Sequence, residues 1–172
     1  MITTKISITP YLAEYIIGKY NHCNKGEVKI PDTADLYHVI WEYMSRRPDN
    51  VSVVDTGNLI IALPDRRIGK DPAVFNYLSV RAVKVIEQHI KNMFNQELHS
   101  ELMDNDRRGH FLDNIDVVHK FLCTYGIESI SEDALLKNYY RYREALRQRK
   151  KRKERREKLC LNERKTSTKI IY

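Results

Sequence analysis

Tyrosine and arginine alternate near the carboxyl end of the chain, and an almost continuous run of basic residues follows them. Residues 139–143 read Tyr-Tyr-Arg-Tyr-Arg, and nine of the twelve residues from 147 to 158 are lysine or arginine. Guanidinium and ammonium groups bind phosphate oxygens, and tyrosine rings stack on nucleobases. This combination of residue types is typical of a surface that binds nucleic acid.

The positive charge of the chain is confined to this end. Residues 137–172 contain fifteen Lys and Arg and four Glu, a net charge of +11. Because the whole chain of 172 residues carries +7, the first 136 residues carry a net charge of −4. A protein that is basic for solubility spreads its charge over the surface, so this distribution indicates that one end meets a polyanion.

The residues just before the basic run predict a helix with two different faces. Four large residues lie within about 60° of one another on a helical wheel and predict a packed face: Leu135, Tyr139, Tyr142 and Leu146. The opposite face is cationic and carries one aromatic residue. This helix, which begins after Ser131, is expected to pack on one side and to present phosphate-binding groups on the other.

We predict that a nucleic acid binds to the cationic face of this helix and to the basic arm, which we define as residues 149–172. The predicted binding residues are Lys137, Tyr140, Arg141, Arg143, Arg147, Arg149, Lys150, Lys151, Arg152, Lys153, Arg155 and Arg156. Duplex DNA is favoured over RNA as the partner.

Three other interpretations of the basic residues remain open. The cationic face could be a solvated surface, and the arm could bind RNA or an acidic protein surface in a structural or assembly protein. In a eukaryotic protein the arm would also resemble a nuclear localisation signal. Binding to a membrane is disfavoured, because an interfacial helix needs an apolar side and the arm has no large apolar residue before Leu159.

Residues 110–148 predict two helices joined by a short link. Four apolar residues mark the inward side of the first helix: Ile115, Val118, Phe121 and Leu122. That helix is expected to end at Tyr125-Gly126, and the link to the second helix is longer than the usual turn of three or four residues.

This unit resembles the helix-turn-helix DNA-binding and accessory proteins of bacterial phages and transposable elements. The resemblance implies that the second helix enters the major groove of DNA, and that the protein acts in transcription regulation or as a mobile-element factor without catalysis.

Residues 1–105 predict a small α+β body. Apolar and polar residues alternate from Ile2 to Ile8 and predict a strand, and Thr9-Pro10 predicts the start of a helix. A second short strand is expected at 28–30, and residues 32–33 can cap a second helix.

Residues 51–63 predict a β-hairpin. Two strand-like segments, 51–54 and 59–63, flank a turn in which Gly57 and Asn58 tolerate positive φ. Basic residues flank the hairpin and could act as the wing of a winged helix, but we interpret them as solvated: Arg46, Arg47, Arg66, Arg67 and Lys70.

Apolar residues recur at helical spacing from Phe75 to Leu102, after a start signal at Asp71-Pro72. They predict one long helix or two shorter ones, with more apolar surface than a short helix needs. The body is therefore interpreted as a scaffold that could form a homodimer. A charged stretch at 104–109 marks a boundary between modules.

The sequence as a whole predicts an α+β fold in three parts. A body at 1–105 contains the small sheet, its helices and the hairpin, and it is followed by the helix-turn-helix-like unit at 110–148 and the basic helical arm at 149–172. No apolar stretch approaches the ~20 residues of a membrane span, and no signal sequence is recognised. We therefore expect a cytoplasmic protein, or a nuclear one in a eukaryote.

Residue spacing also argues against catalysis, so we expect a protein that is not an enzyme. Residues 67–70 (Arg-Ile-Gly-Lys) lack the spacing of a P-loop, and residues 27–29 (Glu-Val-Lys) form at most half of a nuclease metal site. His119 and Cys123 could share a metal on one helix, although we interpret Cys123 as a core residue beside Leu122. We predict no metal and no cofactor.

Overall fold

The structure, a computed structural model, describes residues 2–20, 26–52, 56–66 and 69–169, with side chains up to residue 158. The described residues form a three-stranded sheet and five helices, which confirms the predicted α+β fold class. In chain order they are β1 (Thr3–Ile6), α1 (Pro10–Tyr20), β2 (Glu27–Val28), α2 (Asp35–Tyr43), β3 (Leu59–Ala62), α3 (Val80–Arg107), α4 (Asn114–Tyr125) and α5 (Glu132–Lys169).

The strand β3 lies at the centre of the sheet, in the order β1-β3-β2. It runs antiparallel to β1, with Ile6 opposite Leu59, and parallel to β2, with Glu27 opposite Ile60. Leu59 and Ile61 of this strand are fully buried. The central strand therefore anchors the sheet to the core of the body.

The predicted hairpin is wrong in its pairing. Both edges of β3 are occupied by β1 and β2, and Val51 and Ser52 lie outside the strands. Residues 53–55 lie outside the described part of the chain. The hairpin signal is local, whereas β3 satisfies its backbone groups by pairing with strands that are distant in sequence.

Gly57 and Asn58 do not adopt the positive φ expected of them. A Cβ atom on Gly57 would lie 2.6 Å from the carbonyl oxygen of Ile6, so glycine is needed here for close approach to β1. The Asn58 side chain accepts a hydrogen bond from the Ile8 N–H at 3.0 Å and donates one to the Ile8 carbonyl at 2.7 Å. Gly57 and Asn58 therefore hold the residues just before β3 against the end of β1 and the residues that follow it.

The helix α3 begins later than the sequence predicts, and it is a single helix. Its N-cap is Ser79, whose hydroxyl accepts a hydrogen bond from the Ala82 N–H at 3.2 Å. The Asp71-Pro72 signal starts a turn instead, in which the Asp71 carbonyl accepts from the Phe75 N–H at 2.8 Å. A true cap therefore lies eight residues after the expected one.

The apolar stripe of α3 is buried, because α1, α2 and α4 pack on this helix. The core includes an aromatic cluster in which the Phe94 ring lies 5.3 Å from Tyr15 and 5.5 Å from Phe121, measured between ring centroids. Because one chain covers the stripe, it no longer supplies a reason for dimerisation, and the homodimer stays a prediction.

The chain divides into two compact units, Met1–Ser131 and Glu132–Tyr172. The helix α4 ends at Gly126, whose φ of 63° places it in the left-handed region, as the Tyr125-Gly126 signal predicts. It packs on α1 and α3 and so belongs to the first unit, which we call the body from here on, whereas the sequence predicts a unit formed by α4 and the following helix. The second unit contains α5.

Candidate nucleic-acid interface

All twelve predicted binding residues lie on α5. This helix begins with Glu132 and Asp133 in its first turn, where carboxylates interact favourably with the positive end of the helix dipole. The 38 residues from 132 to 169 contain neither glycine nor proline, and at 1.5 Å per residue they extend for about 57 Å. The predicted residues therefore share one helix.

The first four turns of α5 have the two faces that the sequence predicts. Leu135 and Tyr139 are buried, with 2% and 0% of their surface exposed, and Tyr142 and Leu146 are half-buried. Residues on the other side are exposed, among them Lys137, Tyr140, Arg141 and Arg147. The prediction of a packed face and a cationic face is confirmed.

Arg143 differs from the other predicted cations because it contacts aromatic rings of its own helix. Its guanidinium carbon lies 5.2 Å from the ring centroid of Tyr140 and 5.8 Å from that of Tyr139, and the side chain is half-buried. Such cation–π contacts orient the guanidinium and hold the Tyr140 ring beside a positive charge. An exposed ring so placed can stack on a nucleobase.

Glu144 is an acidic residue within the cationic face. Its carboxylate accepts a hydrogen bond from the Gln148 side chain at 2.6 Å and lies 3.9 Å from the Arg147 guanidinium. All three side chains are exposed, so these contacts are weak and screened by salt. Glu144 lowers the local positive potential without removing Arg147 from solvent.

Side chains from 149 to 158 are all exposed. Successive residues of an α-helix are rotated by about 100°, so the cations of this stretch project from every side of α5. Lys153 lies 3.9 Å from Glu157 in an exposed ion pair. This part of the helix presents positive charge all round and no apolar face.

Three of the basic residues that flank the predicted hairpin, Arg47, Arg66 and Lys70, are half-buried rather than fully solvated, whereas Arg46 is exposed. Arg66 lies 4.5 Å from the ring centroid of Trp41, and Arg46 lies 5.4 Å from that of Phe75. The Lys70 ammonium donates to the Trp41 carbonyl at 3.0 Å and to other carbonyls that end α2.

Arg47 donates to the Asn76 side chain at 3.4 Å, and Arg67 lies outside the described residues. Arg46 and Arg47, which follow α2, therefore contact residues 71–77, whereas Arg66 and Lys70 contact α2 and the residues that end it.

Two further expectations for α4 are wrong. Cys123 is exposed, and its sulfur lies 3.5 Å from Nε2 of the exposed His119. Ile115 is 44% exposed, because α4 turns Val118 and Phe121 toward the core instead. Across the residues that the structure describes, no group of three or more His, Cys, Asp or Glu side chains could hold a metal ion.

A cleft of about 780 Å³ lies where β2 and β3, which are parallel, both end. It is lined in part by Lys29, Asp32, Tyr37, Asp65 and Asp71. The carboxyl ends of parallel strands are a common position for ligands. Here the Tyr37 hydroxyl donates to the main-chain carbonyl of Asp65 at 3.2 Å, and the carboxylates form no metal-binding set.

Comparison with known proteins gives no match. No family model, no curated protein and no solved structure is significantly similar to this chain. The function has to be inferred from the residues of the chain itself.

The described part of the chain contains no helix that is both long and apolar enough to cross a membrane. The two long helices, α3 and α5, carry charged residues along their whole length.

One exposed cation of the interface and one polar cluster of the body are absent from the residues that the sequence predicts. Lys158 is exposed on the same helix as the predicted residues, and following the basic run two residues further would have included it. The second is a cluster in which Tyr15, Lys19 and Tyr125 surround Glu97. Its members come from three helices, so no spacing along the chain indicates it.

Proposed function

We propose that this protein is a non-enzymatic nucleic-acid-binding protein that binds duplex DNA through α5. The observation that carries the proposal is the exposure of the cations on this helix, which extend from Lys137 to Lys158 with few carboxylates between them. Clustered cations on one element displace the counterions of a nucleic acid and gain affinity from their release.

Two features of the interface favour a nucleic acid over a generic polyanion. Tyr140 is 44% exposed on the cationic face, and Arg143 lies beside its ring. Acidic side chains carry no aromatic ring on which Tyr140 would stack, whereas each nucleotide of a nucleic acid carries a base. A role in transcription regulation or in a mobile element is part of the same proposal and follows from the resemblance to helix-turn-helix proteins.

The test is a titration of the full chain with duplex DNA, duplex RNA and single strands at several salt concentrations. If about six phosphates are neutralised, the slope of log K against log salt should be near −5 on duplex DNA. Replacing Lys150, Lys151 and Arg152 with glutamine should make that slope less steep.

The matched control removes the same number of charges from an exposed part of the body. Arg81, Lys84 and Lys91 are exposed on α3, and their replacement with glutamine should leave the slope unchanged. Equal effects of the two triple variants would mean that binding follows net charge rather than α5. Binding to RNA or to acidic proteins but not to duplex DNA would favour a structural or assembly role.

A further inference from the structure

The strand β1 forms one edge of the sheet, and a groove runs along it. In the order β1-β3-β2, only one side of β1 pairs with a strand that the structure describes. The groove has a volume of about 550 Å³ and is lined in part by residues 2–7, residues 76–78 and the first two turns of α3. An edge strand beside a groove is a place where an extended peptide can add to the sheet as a further strand.

The main chain of Thr3 points away from β3. The Leu63 N–H donates to the Ile2 carbonyl at 2.8 Å, so the main chain of Ile2 is turned toward the β3 side. Because successive residues of an antiparallel strand alternate in this respect, Thr4 and Ile6 also pair with β3, whereas Thr3 directs its N–H and carbonyl to the outer edge. Neither of these two groups has a main-chain hydrogen-bond partner among the described residues. The Thr3 N–H and carbonyl are therefore placed to pair with an added strand.

Apolar side chains line part of the groove. Ile2 and Val80 are 36% and 73% exposed, and both line it. Alternate side chains of a strand added beside β1 would cover such exposed aliphatic groups. The groove thus offers apolar contacts next to the hydrogen-bonding groups of Thr3.

The groove also carries an excess of positive charge. Three cations and one carboxylate line it: Lys5, Arg47, Lys84 and Glu87. The carboxylate of Glu87 already accepts hydrogen bonds from the Thr9 N–H and hydroxyl, and Lys84 is exposed. This local excess contrasts with the net charge of −4 over the first 136 residues. A partner that carries negative charge complements the groove.

We propose that this groove binds an acidic, extended segment of another protein, which adds to β1 as a further strand. A second copy of β1 fits less well, because the pairing of two copies would bring their cations together. A nucleic acid also fits less well, because its phosphodiester backbone supplies only acceptors and the Thr3 carbonyl needs a donor. A peptide strand offers donors and acceptors alike. The proposal concerns a surface outside α5 and does not depend on the proposed function.

The test measures the binding of fluorescent peptides to the full chain by fluorescence anisotropy. The probe is a peptide of about six residues in which glutamate and valine alternate, and its counterpart carries lysine in place of glutamate. Thr3→Pro removes the N–H at the outer edge, and proline is tolerated on an edge strand at such a position. This variant should bind the acidic peptide about tenfold more weakly, whereas Thr3→Ala keeps the N–H and should bind it as the wild type does.

A second pair of variants tests the charge of the groove without changing β1. Lys84→Glu reverses a cation that lines the groove, so it should weaken binding of the acidic peptide and strengthen binding of the lysine peptide. Lys91→Glu makes the same change at an exposed position of α3 that does not line the groove, and it should alter neither affinity. Circular dichroism checks that each variant is folded.

The outcomes separate this proposal from the binding of DNA by α5. An excess of duplex DNA should leave the affinity for the acidic peptide unchanged, because no residue of α5 lines the groove. Displacement of the peptide by DNA, or equal binding by the wild type and Thr3→Pro, would show that the peptide binds the basic arm and would overturn the proposal. A lack of saturable binding at millimolar peptide would overturn it too. Self-association of the wild type that Thr3→Pro abolishes would assign the groove to a second copy instead.

Discussion

Arg141 and the cations of the arm should affect binding in different ways. Arg141 is exposed on the face of α5 that also carries Lys137 and Tyr140. If this face reads base edges, loss of a bidentate arginine contact should cost about 1–3 kcal/mol of discrimination at one base position. Removal of Lys150 should weaken binding to all sequences alike, because a phosphate contact carries no sequence information.

The measurement for Arg141 is a binding-site selection with the wild type and Arg141→Ala. The wild type should return an enriched motif that becomes degenerate at one position in the variant. A thermal melt of both proteins controls for stability. An unchanged motif in Arg141→Ala would show that another face of the helix reads the DNA, and the absence of any motif for the wild type would leave a non-specific binder.

Gly18 is the point of closest approach between α1 and α4. A Cβ atom at this position would lie 2.2 Å from the carbonyl oxygen of Tyr125 and 2.8 Å from its Cα. Gly18→Ala should therefore destabilise the body by about 1–3 kcal/mol through overpacking, although alanine favours a helix by about 1 kcal/mol over glycine.

Chemical denaturation of Gly18→Ala measures this effect. Ser100→Ala is a suitable reference, because Ser100 is exposed on α3 and its replacement changes helix propensity without introducing a contact. A gain in stability for Gly18→Ala comparable to that of Ser100→Ala would contradict the close approach.

At the scale of elements, Glu97 joins three helices of the body. The hydroxyls of Tyr15 and Tyr125 donate to its two carboxylate oxygens, and the Lys19 ammonium forms an ion pair with it and donates to the Tyr15 hydroxyl at 2.9 Å. Burial alone would raise the pKa of Glu97, but the hydrogen bonds from Lys19, Tyr125 and Tyr15 together lower it below its usual 4.5. The ionised carboxylate therefore stabilises the packing of α1, α3 and α4.

The pH dependence of stability follows from the direction of this shift. Because the pKa of Glu97 is lower in the folded than in the unfolded chain, its contribution is present above pH 4.5 and is lost as the pH falls through the folded pKa. Glu97→Gln should lower stability at pH 7 and should make the decline below pH 4.5 less steep. Urea unfolding between pH 3 and pH 8 measures both.

His99 provides an internal comparison in a different pH range. It is buried on α3, and burial lowers its pKa below the usual 6.5, so the folded protein loses stability as the pH falls below 6.5. His99→Gln should remove this earlier decline and leave the one below pH 4.5. If Glu97→Gln changed the decline near pH 6 instead, the two assignments would be wrong.

The helicity of α5 should depend on its partner. Like charges at spacings of four residues oppose the helix between Arg147 and Lys158, and phosphates remove that opposition. The α-helical circular dichroism signal of the full chain should therefore increase on addition of duplex DNA, and the increase should disappear when the chain is truncated after Gln148. Binding without any gain in helicity would show that the free arm is already fully helical.

For the whole molecule, the confinement of positive charge to one end predicts that removal of the arm weakens DNA binding without unfolding the protein. The first unit ends at Ser131, and the buried residues Leu135 and Tyr139 precede the arm. A chain that ends at Gln148 should keep the thermal stability of the full protein while its salt slope on DNA becomes much less steep. Equal affinity and an equal slope for the two proteins would exclude the arm as the main source of binding energy.

The predicted homodimer is also a property of the whole molecule. Light scattering at micromolar concentration, with and without DNA, tests it. A strictly monomeric protein in both conditions would remove the dimer from the proposal. A dimer would predict a palindromic site, although its interface would have to lie elsewhere than the stripe of α3 that the body covers.

Local signals in the sequence were sufficient for much of the helical structure and for most of the candidate interface. Thr9-Pro10 and Tyr125-Gly126 marked the start of α1 and the end of α4, because caps and left-handed glycines act within one turn. The two faces of α5 followed from its periodicity, which depends only on positions along one helix. Eleven of the twelve predicted binding side chains are exposed, and Arg143 is half-buried against tyrosine rings.

Features that depend on distant residues were decided only by the tertiary structure. The pairing of β3 with β1 and β2 replaced the expected hairpin, because a strand chooses its partners from the whole chain. Arg46 and Arg66 contact Phe75 and Trp41, which no spacing in the sequence brings near them. The sequence alone therefore determined where the charge lies and which helix carries it, whereas only packing decided which cations remain exposed to a partner.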